Sequence, residues 1–62
     1  MTKTITTEDG TRIFVQSDKK RGTLLVQFDN QSQGEFGVYL KDQNHMRDFI
    51  KALLDGVKEI QS

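Results

Sequence analysis

The chain has 62 residues, with nine Lys and Arg, nine Asp and Glu, one His, and no Cys, Pro or Trp. This length predicts one domain, residues 1–62, because domains need roughly 50 residues or more. Without Cys there is neither a disulfide nor a thiolate metal site. No apolar run approaches the roughly 20 residues of a membrane span, and the polar N-terminus predicts no secretory signal. We therefore expect a cytoplasmic protein.

The small apolar content limits the core that this chain can build. Only 34% of the residues are hydrophobic, and a chain this short rarely gains more than about 3–5 kcal/mol from its own core. Small domains often obtain the missing core from a partner subunit. We therefore expect a homodimer.

The formal net charge is +0. Many nucleic-acid-binding domains are strongly basic, so the overall charge of this chain does not indicate nucleic-acid binding.

Turn-forming residues divide the first 41 residues into four short segments. The turns are Glu8–Gly10, Asp18–Gly22 and Asp29–Gly34. Each of them contains or ends in Gly, which can take the positive φ of a tight turn. The segments between them are rich in β-branched and aromatic residues, which favour strands. The predicted strands are Thr2–Thr7, Thr11–Ser17, Thr23–Phe28 and Glu35–Lys41.

The apolar period changes after the fourth strand. Apolar residues then recur at spacings of three and four, which indicates one face of an amphipathic helix over Gln43–Gln61. They are Met46, Phe49, Ile50, Leu53, Leu54, Val57 and Ile60. Asp42 or Asn44 can cap the helix N-terminus, and the period continues through Gly56. The sequence predicts an α+β fold, a four-stranded antiparallel meander followed by one C-terminal helix.

One face of the predicted sheet is strongly apolar. Side chains alternate along strands, so the third and fourth strands oppose Leu24 with Leu40, Val26 with Val38 and Phe28 with Phe36. Ile5, Ile13 and Val15 extend this face, which we expect the helix to cover. The residues expected in the core are Phe28, Phe36, Val38, Phe49 and Leu53. Deleting a buried Phe costs about 3–5 kcal/mol.

The opposite face of the sheet carries three exposed apolar residues, Phe14, Leu25 and Tyr39. We expect Phe14 to oppose Leu25 and Leu25 to oppose Tyr39, which aligns them in one stripe rimmed by polar groups. Such a stripe is typical of an interaction surface. Its alternative is scattered surface apolar residues, which are normal.

The sequence lacks the constellations that catalysis needs. His45 is the only imidazole, so no pair of His residues can bind a metal, and we expect it to be a solvated side chain. No Ser has nucleophile-elbow context, and a chain this small has little room for a pocket of about 300 Å³ or more. We expect no enzyme activity, no cofactor, no metal and no small-molecule substrate.

A basic hairpin tip, Lys19-Lys20-Arg21, suggests contact with phosphates. Single-stranded nucleic-acid binders combine such cations with exposed aromatic rings on which bases stack. Here the rings are Phe14 and Tyr39, with further cations beside them on the same face. The candidate nucleic-acid-binding residues are Arg12, Phe14, Lys19, Lys20, Arg21, Tyr39 and Lys41.

Several strings resemble the single-stranded-DNA-binding transcriptional coactivator family, positive cofactor four and its bacterial and phage relatives. The segment Gly37–Phe49 is similar to that family's transition from the fourth strand into an amphipathic helix. The hairpin of Arg12–Ser17 and Thr23–Phe28 resembles its aromatic-bearing hairpin with a Lys-rich tip, but the family's stacking Trp after the third strand is absent. The resemblance implies a homodimer packed through helices and sheets, a groove for nucleic acid on the curved sheet, and backbone contacts from Lys19–Arg21.

A second hypothesis comes from a different functional class. The outer stripe could bind a protein, as in a small phage- or plasmid-type inhibitor or an assembly adaptor. A third option is a subunit of a larger complex that uses the free edge strand Thr2–Thr7 for strand addition.

In the expected homodimer, Ala52 and Gly56 lie four residues apart and allow a second helix to approach closely. Leu54 and Val57 supply apolar area beyond what one sheet can cover. The expected dimer interface is therefore Ala52, Leu54, Gly56 and Val57.

Overall fold

The computed structural model describes residues 1–62 as one sheet followed by one helix. The elements are β1 (Thr2–Thr6), β2 (Arg12–Asp18), β3 (Thr23–Asn30), β4 (Gly34–Leu40) and α1 (Gln43–Gln61). The strands pair antiparallel in the order β1-β2-β3-β4. The predicted α+β meander with a C-terminal helix is confirmed, and no element boundary moves by more than two residues.

The β1–β2 turn is built around one carboxylate. Asp9 accepts hydrogen bonds from the Thr7 hydroxyl and from the Thr11 backbone N–H, the latter at 3.0 Å. Gly10 takes a positive φ of 85° and donates its N–H to the Thr7 carbonyl. The hydroxyl of Thr7, followed by the groups of Thr11, lowers the pKa of Asp9 from 3.8 to about 2.

The register between β2 and β3 differs from the expected one by two residues. Phe14 lies opposite Gln27, not opposite Leu25. The expected pairing needs a two-residue turn at Lys19–Lys20, and such turns require positive φ, which non-glycine residues seldom adopt. The observed tip has four residues instead, and Gly22 takes the positive φ of 66°.

The apolar ladder between β3 and β4 is confirmed in register. The pairs are Leu24–Leu40, Val26–Val38 and Phe28–Phe36. Ile13 continues one row from Phe28 to Ile5, and Val15 pairs with Val26. We call this side of the sheet the inner face; its apolar residues are Ile5, Ile13, Val15, Leu24, Val26, Phe28, Phe36, Val38 and Leu40.

Helix α1 begins with a well-defined cap. Asp42 is extended, with φ −110° and ψ 128°, and its carboxylate accepts a 2.7 Å hydrogen bond from the Asn44 N–H. The carbonyl of Asp42 accepts from Met46 N–H at 3.1 Å. The helix runs without interruption through Gly56, as predicted. It lacks the continuous apolar stretch that a helix needs to cross a bilayer.

The helix does not cover the inner face, and the expected core is wrong for the single chain. Val26, 4% exposed, is the one buried residue. Phe36 remains 66% exposed and Leu53 56%, and Phe49 is half-buried. Phe28 and Val38 are each 40% exposed. The reason is the two-residue connection from β4 to α1, which starts the helix at the edge of the sheet, so that it meets the sheet along β4.

Candidate nucleic-acid interface

The outer face of the sheet carries the residues that alternate with those of the inner face. It includes Arg12, Phe14, Gln16 and Asp18 of β2 and Thr23, Leu25, Gln27 and Asp29 of β3. Tyr39 lies opposite Leu25, as expected. Because the register shifts by two residues, Phe14 lies diagonal to Leu25 and the predicted stripe is broken at that position.

An open groove occupies the end of the outer face nearest the basic tip. Its volume is about 520 Å³, larger than we expected for so small a chain. Two of its lining residues are apolar, and the others are polar or charged. The groove is lined by Gln16, Asp18, Arg21, Thr23, Leu25, Tyr39 and Lys41. The structure thus brings together three of the predicted residues, Arg21, Tyr39 and Lys41.

The ring of Tyr39 is the main apolar feature of the groove. Tyr39 is 63% exposed, and it stands beside the half-buried Leu25 on the neighbouring strand. Gly37 leaves little open space next to the ring, because a Cβ there would meet Leu25 Cδ1 and Gln27 Cγ, each at 3.6 Å. The neighbouring side chains therefore lean over the glycine, and the Tyr39 ring remains the flat surface that a base can reach.

Arg21 is the groove's best-placed cation, and it already has a partner. Its Nε lies 3.8 Å from the Asp18 carboxylate, and its backbone N–H donates to that carboxylate at 3.1 Å. Both side chains are open to solvent, Arg21 at 82% and Asp18 at 46%. Such an exposed pair is weak, so a phosphate can compete for the guanidinium.

Arg12 and Phe14 lie towards the other end of the outer face. Arg12 donates to the carboxylate of Asp29 at 2.7 Å, and its guanidinium carbon lies 5.7 Å from the centre of the Phe14 ring. This is within cation–π distance. Arg12 is thus neutralised by one neighbour and stacked on another. The predicted grouping of these two residues with the groove is not observed, since neither of them lines it.

The two tip lysines, Lys19 and Lys20, are exposed in the β2–β3 turn and lie outside the groove lining. Gln16, Asp18 and Thr23 are not among the candidate binding residues predicted from the sequence, and all three line the groove. Asp18 follows Arg12, Phe14 and Gln16 at intervals of two along the same strand, so the alternation of side chains places it on the outer face and could have identified it. His45 is exposed in the first turn of the helix.

The four residues predicted for the dimer interface all lie exposed on α1. They are Ala52, Leu54, Gly56 and Val57. No atom lies within 4 Å of the position that a Cβ on Gly56 would take, apart from the helix's own backbone and chain neighbours. The helix surface at Gly56 therefore has room for another chain.

No protein-family model, curated protein or solved structure matches this chain. Its function must therefore be inferred from its own residues and their geometry.

Proposed function

We propose that this chain is a non-enzymatic, homodimeric module that binds single-stranded nucleic acid on the outer face of its sheet, in an accessory role in transcription or replication. The observation that carries the proposal is the groove itself, where an exposed Tyr39 ring shares one lining with the cations Arg21 and Lys41. The exposed lysines of the hairpin tip extend this positive region beyond the groove.

The roles of these groups follow from their chemistry. A base stacks on the exposed ring of Tyr39, which is worth about 1–3 kcal/mol. Arg21 and Lys41 hold phosphates on the side of the ring nearest the hairpin tip, and Lys19 and Lys20 contact the continuing backbone. Because the net charge is +0, attraction depends on this local cluster and not on the field of the whole protein. No sequence preference follows from stacking and phosphate contacts.

Fluorescence anisotropy with labelled oligo-dT of about 20 nucleotides tests the proposal, at about 50 and 200 mM salt. Replacing Lys19 and Lys20 with Ala should flatten the log–log salt dependence by about 1.4, at about 0.7 per phosphate contact. Replacing Lys51 and Lys58 with Ala is the matched control. It removes the same charge from the exposed helix and should leave the slope unchanged.

The aromatic contribution is tested separately at Tyr39. Tyr39→Ala should weaken binding by about 1–3 kcal/mol without changing the salt slope, whereas Tyr39→Phe keeps the stacking surface and should bind almost as well. The absence of binding by the wild-type protein at low salt would overturn the proposal. If Tyr39→Ala and Tyr39→Phe were equal, base stacking on this ring would be excluded.

A protein partner on the outer face is the second candidate. The observation that favours it is the ion pairing of Arg12 with Asp29 and of Arg21 with Asp18, which reduces the positive charge available to phosphates. Binding of a protein through Leu25 and Tyr39 would depend little on salt, and this separates the two candidates.

A further inference from the structure

The inner face of the sheet and the apolar stripe of the helix are both uncovered in the single chain. Phe36 is 66% exposed and Ile5 55%, both on the sheet. On the helix, Leu53, Val57 and Ile60 are 56%, 48% and 86% exposed. A single chain therefore presents two complementary apolar surfaces that meet only near Phe49.

The exposed area is much larger than a compact chain of this mass shows. A folded monomer of 7.1 kDa exposes about 4,100 Å², whereas this chain exposes 5551 Å². The excess is about 1,500 Å² per chain, so two copies that buried it would hide about 3,000 Å² in total, within the range of obligate homodimers. The uncovered area is thus of the size that a second copy needs.

The two surfaces also fit each other in size. Four strands about 4.8 Å apart make an inner face roughly 15 Å across, which accommodates one helix of about 10 Å diameter. The first turns of α1 already occupy its β4 side, where Phe49 forms a small apolar groove with Val26, Phe28, Val38 and Leu40. The side near Ile5 and the end near Phe36 remain open.

We infer that the occupant is the helix of a second copy. In this dimer the later turns of each α1, with Leu53, Val57 and Ile60, lie on the open part of the partner's inner face. A two-fold axis makes the exchange reciprocal, so the assembly closes at two copies and leaves neither surface free. The outer faces remain accessible on both subunits.

This arrangement rests on the homodimer proposed above and is independent of nucleic-acid binding. The cross-linking below and the oligonucleotide titration can therefore fail separately.

The chain contains no Cys, so single thiols can be introduced on each surface. Ile5→Cys marks the open part of the inner face and Val57→Cys marks the helix stripe, and one variant carries a tag to change its mass. After the two are mixed, unfolded and refolded together, a short bismaleimide should link tagged to untagged chains. Gln27→Cys, on the outer face next to Val26, is the matched control and should give little of this product with Val57→Cys.

Several results would overturn the inference. Light scattering of the wild-type chain should give twice the monomer mass at 100 µM or below, and a monomer would contradict it. A double variant, Ile5→Cys with Val57→Cys, should link between chains; a link confined to one chain after dilution would show that the helix folds back onto its own sheet. A dimer whose Val57 thiol links no better to Ile5 than to Gln27 would show a different interface.

A second pair of variants serves where the thiols impair folding. Val57→Glu places a charge in the helix stripe and should reduce the dimer fraction at least tenfold, while Lys58→Glu makes the neighbouring residue acidic on the polar side of the helix and should leave it nearly unchanged. Equal dimer fractions in the two variants would overturn the inference. Co-purification of the wild-type chain with a different protein in place of a second copy would also do so.

Discussion

The carboxylate of Asp18 holds Arg21 at two points, through the backbone N–H at 3.1 Å and beside the guanidinium Nε at 3.8 Å. The first contact shapes the hairpin tip, and the second competes with any anion that approaches the groove. Asp18→Asn keeps an oxygen that can accept from the backbone but removes the negative charge.

Under the proposed function, Asp18→Asn should strengthen binding to oligo-dT about two- to fivefold, because an exposed ion pair is worth up to about 1 kcal/mol. Anisotropy titrations at low salt measure the change. Asp48→Asn alters the net charge equally on the helix, away from the groove, and should have little effect. Weaker binding by Asp18→Asn would show that the carboxylate positions Arg21 and does not compete with the phosphate.

Acid should weaken the β1–β2 turn in a defined pH window. The folded chain holds the pKa of Asp9 at about 2, below its ordinary 3.8, through the hydroxyl of Thr7 and then through Thr11. A lowered pKa stabilises the fold above the unfolded value, and this stabilisation is lost as the pH falls from about 4 towards 2. Carboxyl chemical shifts across this range should show the low midpoint.

Asp9→Asn separates the contribution of Asp9 to the pH dependence of stability from that of the other carboxylates. The amide oxygen still accepts from Thr7 and Thr11 but cannot titrate, so the variant should lose less stability than the wild type between pH 4 and 2. Urea unfolding at several pH values measures the difference. Identical pH dependence in both proteins would contradict the assignment.

Gly56 should respond differently to a small and to a large side chain. Gly56→Ala should raise helix stability by about 1 kcal/mol, since a Cβ there meets no other part of the chain. Gly56→Leu should weaken association, because it blocks close approach of the partner chain at this position. Thermal melts and light scattering test the two effects. A Leu variant that remained fully dimeric would remove Gly56 from the interface.

The cost of removing Phe49 should depend on assembly. In the single chain Phe49 is half-buried against Val26, Phe28, Val38 and Leu40, so Phe49→Ala should cost about 2 kcal/mol, below the 3–5 kcal/mol of a fully buried ring. In a dimer that completes the core, the cost should approach the full range. Denaturant titrations at low and high protein concentration compare the two values.

The elements themselves could be predicted because their signals are local. The alternation of side chains along strands predicted that Val26, Val38 and Phe28 share one face of the sheet. The spacing of three and four between apolar residues from Met46 to Ile60 predicted the helix. These periods follow from backbone geometry, which does not depend on distant contacts.

The β2–β3 register and the position of the helix depend on details that the apolar pattern does not contain. Shifting the register by two residues keeps every side chain on the same face, so alternation could not decide whether Phe14 meets Leu25 or Gln27. The φ of Gly22 decided it. The ion pair of Arg12 with Asp29 follows from that register and was therefore missed with it.

Val26 is the one buried residue of the single chain, and in the inferred dimer this has a consequence for the protein in a cell. Such a dimer completes its core only by pairing, so it would have no separate folding step and its folded fraction would rise with its own concentration. Below the concentration at which pairs form, newly made chains expose their apolar surface to proteases and chaperones. The amount of folded dimer would then depend on the rate of synthesis with a threshold. Slow synthesis would yield almost no folded dimer, and modestly faster synthesis would yield a disproportionately larger amount.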